Sequence, residues 1–142
     1  MDEEGRWAQI AELDDQLLIG CVVISEWCSF ISREAETAYA KGAFLAAILT
    51  AVSGIETYLR SEYSTTGKEC LFELIDGSPI SVDLKDHLHK LRKYRNKWVH
   101  VDSPWDDRLP LQKTDEIEME LEQMSFFAVS CLLQTLYENQ GV

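Results

Sequence analysis

Residues 82–101 read VDLKDHLHKLRKYRNKWVHV, a pattern typical of an α-helix. Apolar side chains recur there every three or four residues, with one interruption by a charge. The apolar positions are Leu84, Leu88, Leu91 and Trp98. This spacing aligns them on one face, as in a helix that packs on a protein core. Ser81 precedes the stretch and can accept from the first backbone N–H groups, so it is the predicted cap of a helix over 82–101.

The rest of the chain carries the same helical periodicity. Residues 7–40 are predicted to form one long helix or two collinear ones. A helix over 44–63, a short helical turn over 69–75 and a last helix over 114–137 are also predicted. Thr114 is the predicted cap of the last helix. Strand signals are nearly absent. Because 142 residues can close one hydrophobic core, we expect a single all-α domain, residues 1–142, built as a four-to-five-helix bundle.

Composition excludes several classes of protein. The chain is 46% apolar and 27% charged, which is ordinary for a globular protein and too apolar for a disordered one. No apolar run reaches the roughly 18 residues of a membrane span, and the acidic N-terminus is unlike a signal peptide, so we expect a cytoplasmic protein. The cysteines, Cys21, Cys28, Cys70 and Cys131, form no C-x-x-C pair and are predicted to be buried thiols. Neither a metal nor a cofactor is expected.

Positive charge is concentrated in one segment of an acidic chain. The net charge is −12, yet residues 85–100 carry six basic residues against one acidic residue, whereas the remainder carries 7 against 24. A polyanion, if one binds, is expected to bind at this segment, because Lys and Arg neutralise phosphates. The alternative is a solvated helix face, paired in part with acidic neighbours.

Two charges interrupt apolar stripes. Arg95 falls between Leu91 and Trp98 on the stripe of 82–101, and Glu56 falls at the matching place on the stripe of 44–63. A lone charge in a core is costly, so we predict that Glu56 lies near Arg95 and orients it. The alternative is that both side chains reach water.

The end of the basic segment resembles a known motif. Residues 95–100, Arg-Asn-Lys-Trp-Val-His, have the form R-N-x-x-x-H, which resembles the R-x(4-6)-H signature of the HEPN superfamily, the helical domains of many RNA-cutting toxins and defence proteins. Residues 38–48 and 55–59 are similar to the helix that packs behind that motif, and the resemblance spans about 35–137. In some family toxins a tyrosine modified for silencing follows the histidine by two positions. Asp102 stands there, so such control is in doubt.

The resemblance implies a chemistry and a partner. It implies metal-independent RNA cleavage by the 2′-hydroxyl in a toxin–antitoxin or anti-phage defence system. His100 would transfer protons, Arg95 would stabilise the phosphorane, and Asn96 would donate to a phosphoryl oxygen or fix the imidazole. The implied RNA-binding residues are Lys90, Arg92, Lys93 and Lys97, while Tyr94 or Trp98 either stacks a base or packs at an interface.

Geometry constrains how this site is completed. Arg95 and His100 stand about 140° apart on a continuous helix, so they converge only if the helix ends near Val99 or a second copy supplies the other half. One imidazole cannot easily act as both base and acid, so a two-fold homodimer with a composite site is expected, with an antitoxin or other regulatory protein as a further partner.

Two other functions remain open. The chain is alternatively an inactive HEPN dimerisation or ligand-binding module, in which Arg95 and His100 are structural. A second alternative is a metal-dependent phosphodiesterase that uses Asp102, Asp106, Asp107 and His100, since carboxylates suit hard cations. The sequence does not specify the target RNA.

Overall fold

The computed structural model describes residues 1–106 and 113–141, and this part of the chain is all-α, as predicted. Its six helices are α1 (Glu3–Leu17), α2 (Glu26–Ala40), α3 (Phe44–Tyr63), α4 (Leu71–Gly77), α5 (Val82–Val99) and α6 (Thr114–Leu136). Within these ranges the β structure is one isolated antiparallel bridge, between Cys21 and Gly141. None of the described helices is both long and apolar enough to cross a membrane.

The predicted first helix is in fact two antiparallel helices. The hydroxyl of Tyr39 donates to Gln9, and Nε of Arg6 donates to the carbonyl of Ala40 at 2.8 Å, so the start of α1 lies beside the end of α2. The expectation of one helix or two collinear ones was therefore wrong. Residues 18–25 connect the two helices. Apolar residues in this connection continue the helical spacing of their neighbours, so the sequence pattern showed no break.

The C-terminal tail holds this turn in place. Oε1 of Gln140 accepts from the backbone N–H groups of Ile19, at 2.9 Å, and Gly20, at 2.7 Å. Ser25 then begins α2 as its N-cap, because its hydroxyl accepts from the N–H of Cys28 at 3.1 Å. These contacts supply partners for backbone groups that no helix satisfies.

Helix α3 lies at the centre of the bundle and packs against α2 and α6. Gly54 marks the closest approach, since a Cβ atom there would lie 2.9 Å from Cδ1 of Leu132 and 3.1 Å from Cγ2 of Ile31. Ile55 and Leu59 of the same helix are almost fully buried. The glycine therefore allows three helices to meet more closely than any larger residue would permit.

Helices α3 and α6 run in the same direction. Gly54 contacts Leu132 in the second half of both helices, and the amide of Asn139, just beyond α6, donates to the hydroxyl of Tyr63, the last residue of α3, at 2.6 Å. The beginning of α3 consequently lies beside the first half of α6.

Helix α5 runs in the opposite direction. At its start, the N–H of Ser81 donates to Glu138 at 3.2 Å, and near its end Lys97 lies 3.7 Å from the carboxylate of Glu120. The start of α5 therefore lies beside the end of α6, and the end of α5 beside the start of α6.

Apart from the first predicted helix, the helix ends agree with the sequence to within two residues. The hydroxyl of Ser81 accepts from the N–H of Leu84 at 3.2 Å, which confirms the predicted cap. Helix α6 begins at Thr114 itself, so its cap position falls at Lys113, one residue earlier than predicted. Helix α5 ends at Val99 rather than at residue 101.

The cysteines divide into two pairs by exposure. Cys28 and Cys131 are buried as predicted, whereas Cys21 and Cys70 are exposed, contrary to the expectation of four buried thiols. Burial raises the pKa of Cys131 to about 12. Its thiol is therefore neutral and unreactive at physiological pH.

Candidate functional site

The three motif residues lie together at the end of α5. The half-buried Arg95 donates from Nε to Oδ1 of Asn96 at 2.9 Å. His100 is the C-cap of the helix, with φ −130° and ψ 69°, and its backbone N–H donates to the carbonyl of Asn96 at 2.9 Å. The His100 side chain is exposed. Asn96 is thus hydrogen-bonded to both of the other residues.

The motif residues do not all belong to one face of the helix. Asn96 and His100 are four residues apart and share the outer face with Lys93, whereas Arg95 continues the stripe of Leu91 toward the core. The hydrogen bond from Nε of Arg95 to Asn96 turns the guanidinium toward that outer face. From the sequence, Arg95 and His100 come together only if the helix ends near Val99 or a second copy of the chain supplies the other half. The first condition is met, because the helix ends at Val99.

The predicted pair between Glu56 and Arg95 is not formed. Glu56 instead binds Arg60, one turn further along α3, at 2.8 Å, and both side chains are half-buried. The reason is helix direction: α3 and α5 run oppositely, so the second half of α3 lies beside the start of α5, far from Arg95 near its end. Glu56 therefore supports Arg60 and does not orient the motif arginine.

The four predicted RNA-binding cations lie at the surface of α5. Lys90 lies over the ring of Phe127, with Nζ 4.9 Å from its centre. Lys97 lies 3.7 Å from Glu120, and Lys93 and Lys97 are both exposed. The half-buried Arg92 is held by the ring of Phe72 and by His89. This helix therefore presents a basic outer face in an otherwise acidic protein.

Sequence reasoning missed a cluster that joins α4 to α5. Nε2 of His89 lies 2.7 Å from Oδ1 of Asp76, and Nδ1 of His89 accepts from Nε of Arg92 at 3.3 Å. The guanidinium of Arg92 lies over the ring of Phe72, 5.1 Å from its centre. Since Nδ1 is the acceptor, Nε2 carries the proton and donates to Asp76. The cluster holds Arg92 in place. No local sequence pattern indicates the cluster, because Asp76 lies 13 residues from His89.

A groove of about 730 Å³ opens between the end of α5 and the start of α6. Trp98 and Ile117 are among its apolar lining residues, and His100 lies at its edge. Its charged lining residues are Lys97, Lys113, Asp102, Asp106, Glu116 and Glu120. Carboxylates therefore outnumber ammonium groups in the groove, in contrast to the outer face of α5. Arg95 is not among the lining residues.

Two buried polar atoms lie beside this groove. The hydroxyl of Tyr94 and Nε1 of Trp98 are enclosed and lie close to each other, and neither atom makes a well-formed hydrogen bond to another described residue. Both side chains are half-buried and pack against the main core. Burial raises the pKa of Tyr94. These aromatic residues therefore pack within the chain itself, and Trp98 also reaches the groove.

The residues of the metal-dependent alternative are only partly described. Asp102 and Asp106 lie in the loop after α5, and Asp107 lies outside the described residues. Across residues 1–106 and 113–141, no three His, Cys, Asp or Glu side chains are grouped so that they could hold a metal ion. The described geometry therefore gives this alternative no support.

Comparison of the chain with models of known protein families, with curated proteins and with solved structures finds no match. The resemblance to the HEPN superfamily consequently rests on the motif at 95–100 and on the residues of α3. The function of the site has to be argued from its geometry.

Proposed function

We propose that the chain is a metal-independent endoribonuclease of the HEPN type, a cytoplasmic toxin or anti-phage defence protein. The observation that carries the proposal is the hydrogen bond between Arg95 and Asn96. It joins a guanidinium to the residue that shares the outer face of α5 with His100. A cation that can stabilise a phosphorane is thereby held by a side chain one helical turn before the exposed His100.

The residue types suit cleavage by the ribose 2′-hydroxyl. Histidine is the most frequent general acid and base in proteins, so the exposed His100 would take the 2′-hydroxyl proton or protonate the leaving 5′-oxygen, each step worth about 10² to 10⁴ in rate. The planar fork of Arg95 matches two phosphoryl oxygens. Lys93 and its neighbours on the outer face would contact the flanking phosphates.

A second copy of the chain would complete this site. The reaction needs a base and an acid, and the motif offers a single histidine. A two-fold axis near the end of α5 would bring a second His100 to the same phosphate. We therefore propose a homodimer, restrained in its own cell by an antitoxin or another regulatory protein.

The decisive experiment is cleavage of mixed cellular RNA by the purified protein in EDTA. We expect wild type to cut and to leave 2′,3′-cyclic phosphate ends, and His100→Ala to be inactive. His87→Ala is the matched control, since His87 is an exposed histidine of the same helix outside the motif. Equal activity of wild type and His100→Ala, or activity only with added metal, would refute the proposed mechanism.

One observation favours the inactive module instead. Arg95 is half-buried, bonds to its own neighbour, and does not line the groove beside His100. In that case the motif would close the end of the bundle, and the groove would bind a ligand. A folded dimer that cuts none of several RNAs would support this second candidate.

A further inference from the structure

The surfaces on either side of His100 differ in charge. On the outer face of α5, Lys93 lies beside Asn96 and His100. On the other side, the groove of about 730 Å³ is lined by four carboxylates and two lysines around an apolar floor. A phosphate is attracted to the first surface and disfavoured by the second, so one RNA strand would present different chemical groups to each.

We propose that the groove binds the base of the nucleotide next to the cleaved phosphate and selects guanine. This inference rests on the proposed function for its substrate, and it adds the base preference. The size of the groove falls within the range of small-molecule sites, about 300 to 1,000 Å³, and its floor includes Trp98, Val101 and Ile117. A planar base can pack on such a floor, since nucleic-acid bases stack on aromatic side chains.

Glu116 is the residue that selects the base. Its carboxylate lines the groove and has no ion pair or hydrogen bond to another side chain in the described part of the chain, whereas Glu120 is held near Lys97. Guanine presents two adjacent donors, N1–H and the N2 amino group, which match the two oxygens of a carboxylate. The other bases offer at most one donor beside an acceptor on that edge, and a carboxylate repels the acceptor. The groove therefore favours guanine through its acidic wall.

Trp98 provides a readout that does not depend on cleavage. Its indole Nε1 is enclosed beside the groove and lies close to the hydroxyl of Tyr94. A base that packs on the ring will shift the indole ¹H–¹⁵N resonance, which a Trp98→Phe variant assigns among the four tryptophans.

The test is a titration of the His100→Ala protein, which cannot cut, with guanosine and uridine 5′-monophosphates. We expect the Trp98 resonance to shift saturably with the guanosine nucleotide, and at least about tenfold weaker binding of the uridine nucleotide, since a bidentate pair contributes about 1 to 3 kcal/mol of discrimination. Glu116→Gln should remove that preference. Glu118→Gln, at an exposed position of the same helix outside the groove, is the matched control.

The outcomes separate this inference from the nuclease proposal. Equal affinity for the two nucleotides, no shift at Trp98, or an unchanged preference in Glu116→Gln would overturn the guanine site, even if the protein cuts RNA. Selective guanosine binding that depends on Glu116 would support it, even if wild type cuts nothing. If wild type cuts, the mapped ends should carry guanine next to the cut in excess.

Discussion

Glu36 should make the protein less stable as the pH rises. This glutamate of α2 is half-buried beside α1, and burial, followed by the nearby charge of Asp14, raises its pKa from 4.5 to about 7. The Asp14 carboxylate is itself held by the hydroxyl of Tyr137 at 2.5 Å. The folded state thus binds the Glu36 proton more tightly than the unfolded state does. The stability that protonated Glu36 contributes is fully present below about pH 4.5 and is lost as the pH rises through 7.

The size of the effect follows from the pKa. A rise from 4.5 to about 7 corresponds to about 3 kcal/mol in a dry site. Because the Glu36 side chain is only half-buried, solvent screening reduces this, and we expect about 1 to 2 kcal/mol. For a chain of 142 residues, this is about 3 to 7 °C in Tm.

Urea unfolding of Glu36→Gln and wild type between pH 5 and 8.5 measures the effect. The variant should be more stable than wild type by about 1 to 2 kcal/mol at pH 8.5, and the difference should shrink toward pH 5. Glu34→Gln, an exposed position of the same helix, controls for the loss of one negative charge. A difference that is constant across this range, or a less stable variant at pH 8.5, would refute the reasoning.

Three further substitutions test the packing by urea unfolding. Gly54→Ala should lower the free energy of unfolding by about 1 to 2 kcal/mol, because the strain of a methyl group against Leu132 exceeds the gain in helix propensity; a more stable variant would contradict the close approach. Glu56→Gln should cost at most about 0.5 kcal/mol, since its partner is the half-exposed Arg60; a loss of 3 kcal/mol or more would indicate a dry ion pair. Ser81→Ala should cost about 0.5 to 2 kcal/mol through loss of the cap; no change would refute its role.

The sequence predicts the helices well because their signals are local. The apolar stripes of α3 and α5 and the serine at position 81 act over one or two turns, so the helix bounds were close. The break between α1 and α2 was missed for the opposite reason. The backbone N–H groups of this turn donate to Gln140, about 120 residues away, and no local sequence pattern predicts that contact.

The candidate site shows the same division between local and distant information. Arg95, Asn96 and His100 are six residues or fewer apart, and the sequence placed them correctly near the end of one helix. The partner of Glu56 depended on the relative direction of α3 and α5, which apolar periodicity does not encode. Both interruptions fall in the second half of their helices, so the two side chains would pair only if α3 and α5 ran in the same direction, and the packed structure shows that they run oppositely.

The end of α5 at Val99 gives His100 its particular position. The helical part of the motif already reaches the groove through Lys97 and Trp98, and His100 lies just beyond the last residue of the helix. Because the helix stops, His100 borders both the basic face and the acidic groove. We propose that an RNA substrate spans this border, and it would need few phosphate contacts because the groove would bind a base instead. The overall charge of −12 is therefore compatible with an RNA substrate, provided that the contact is short and local.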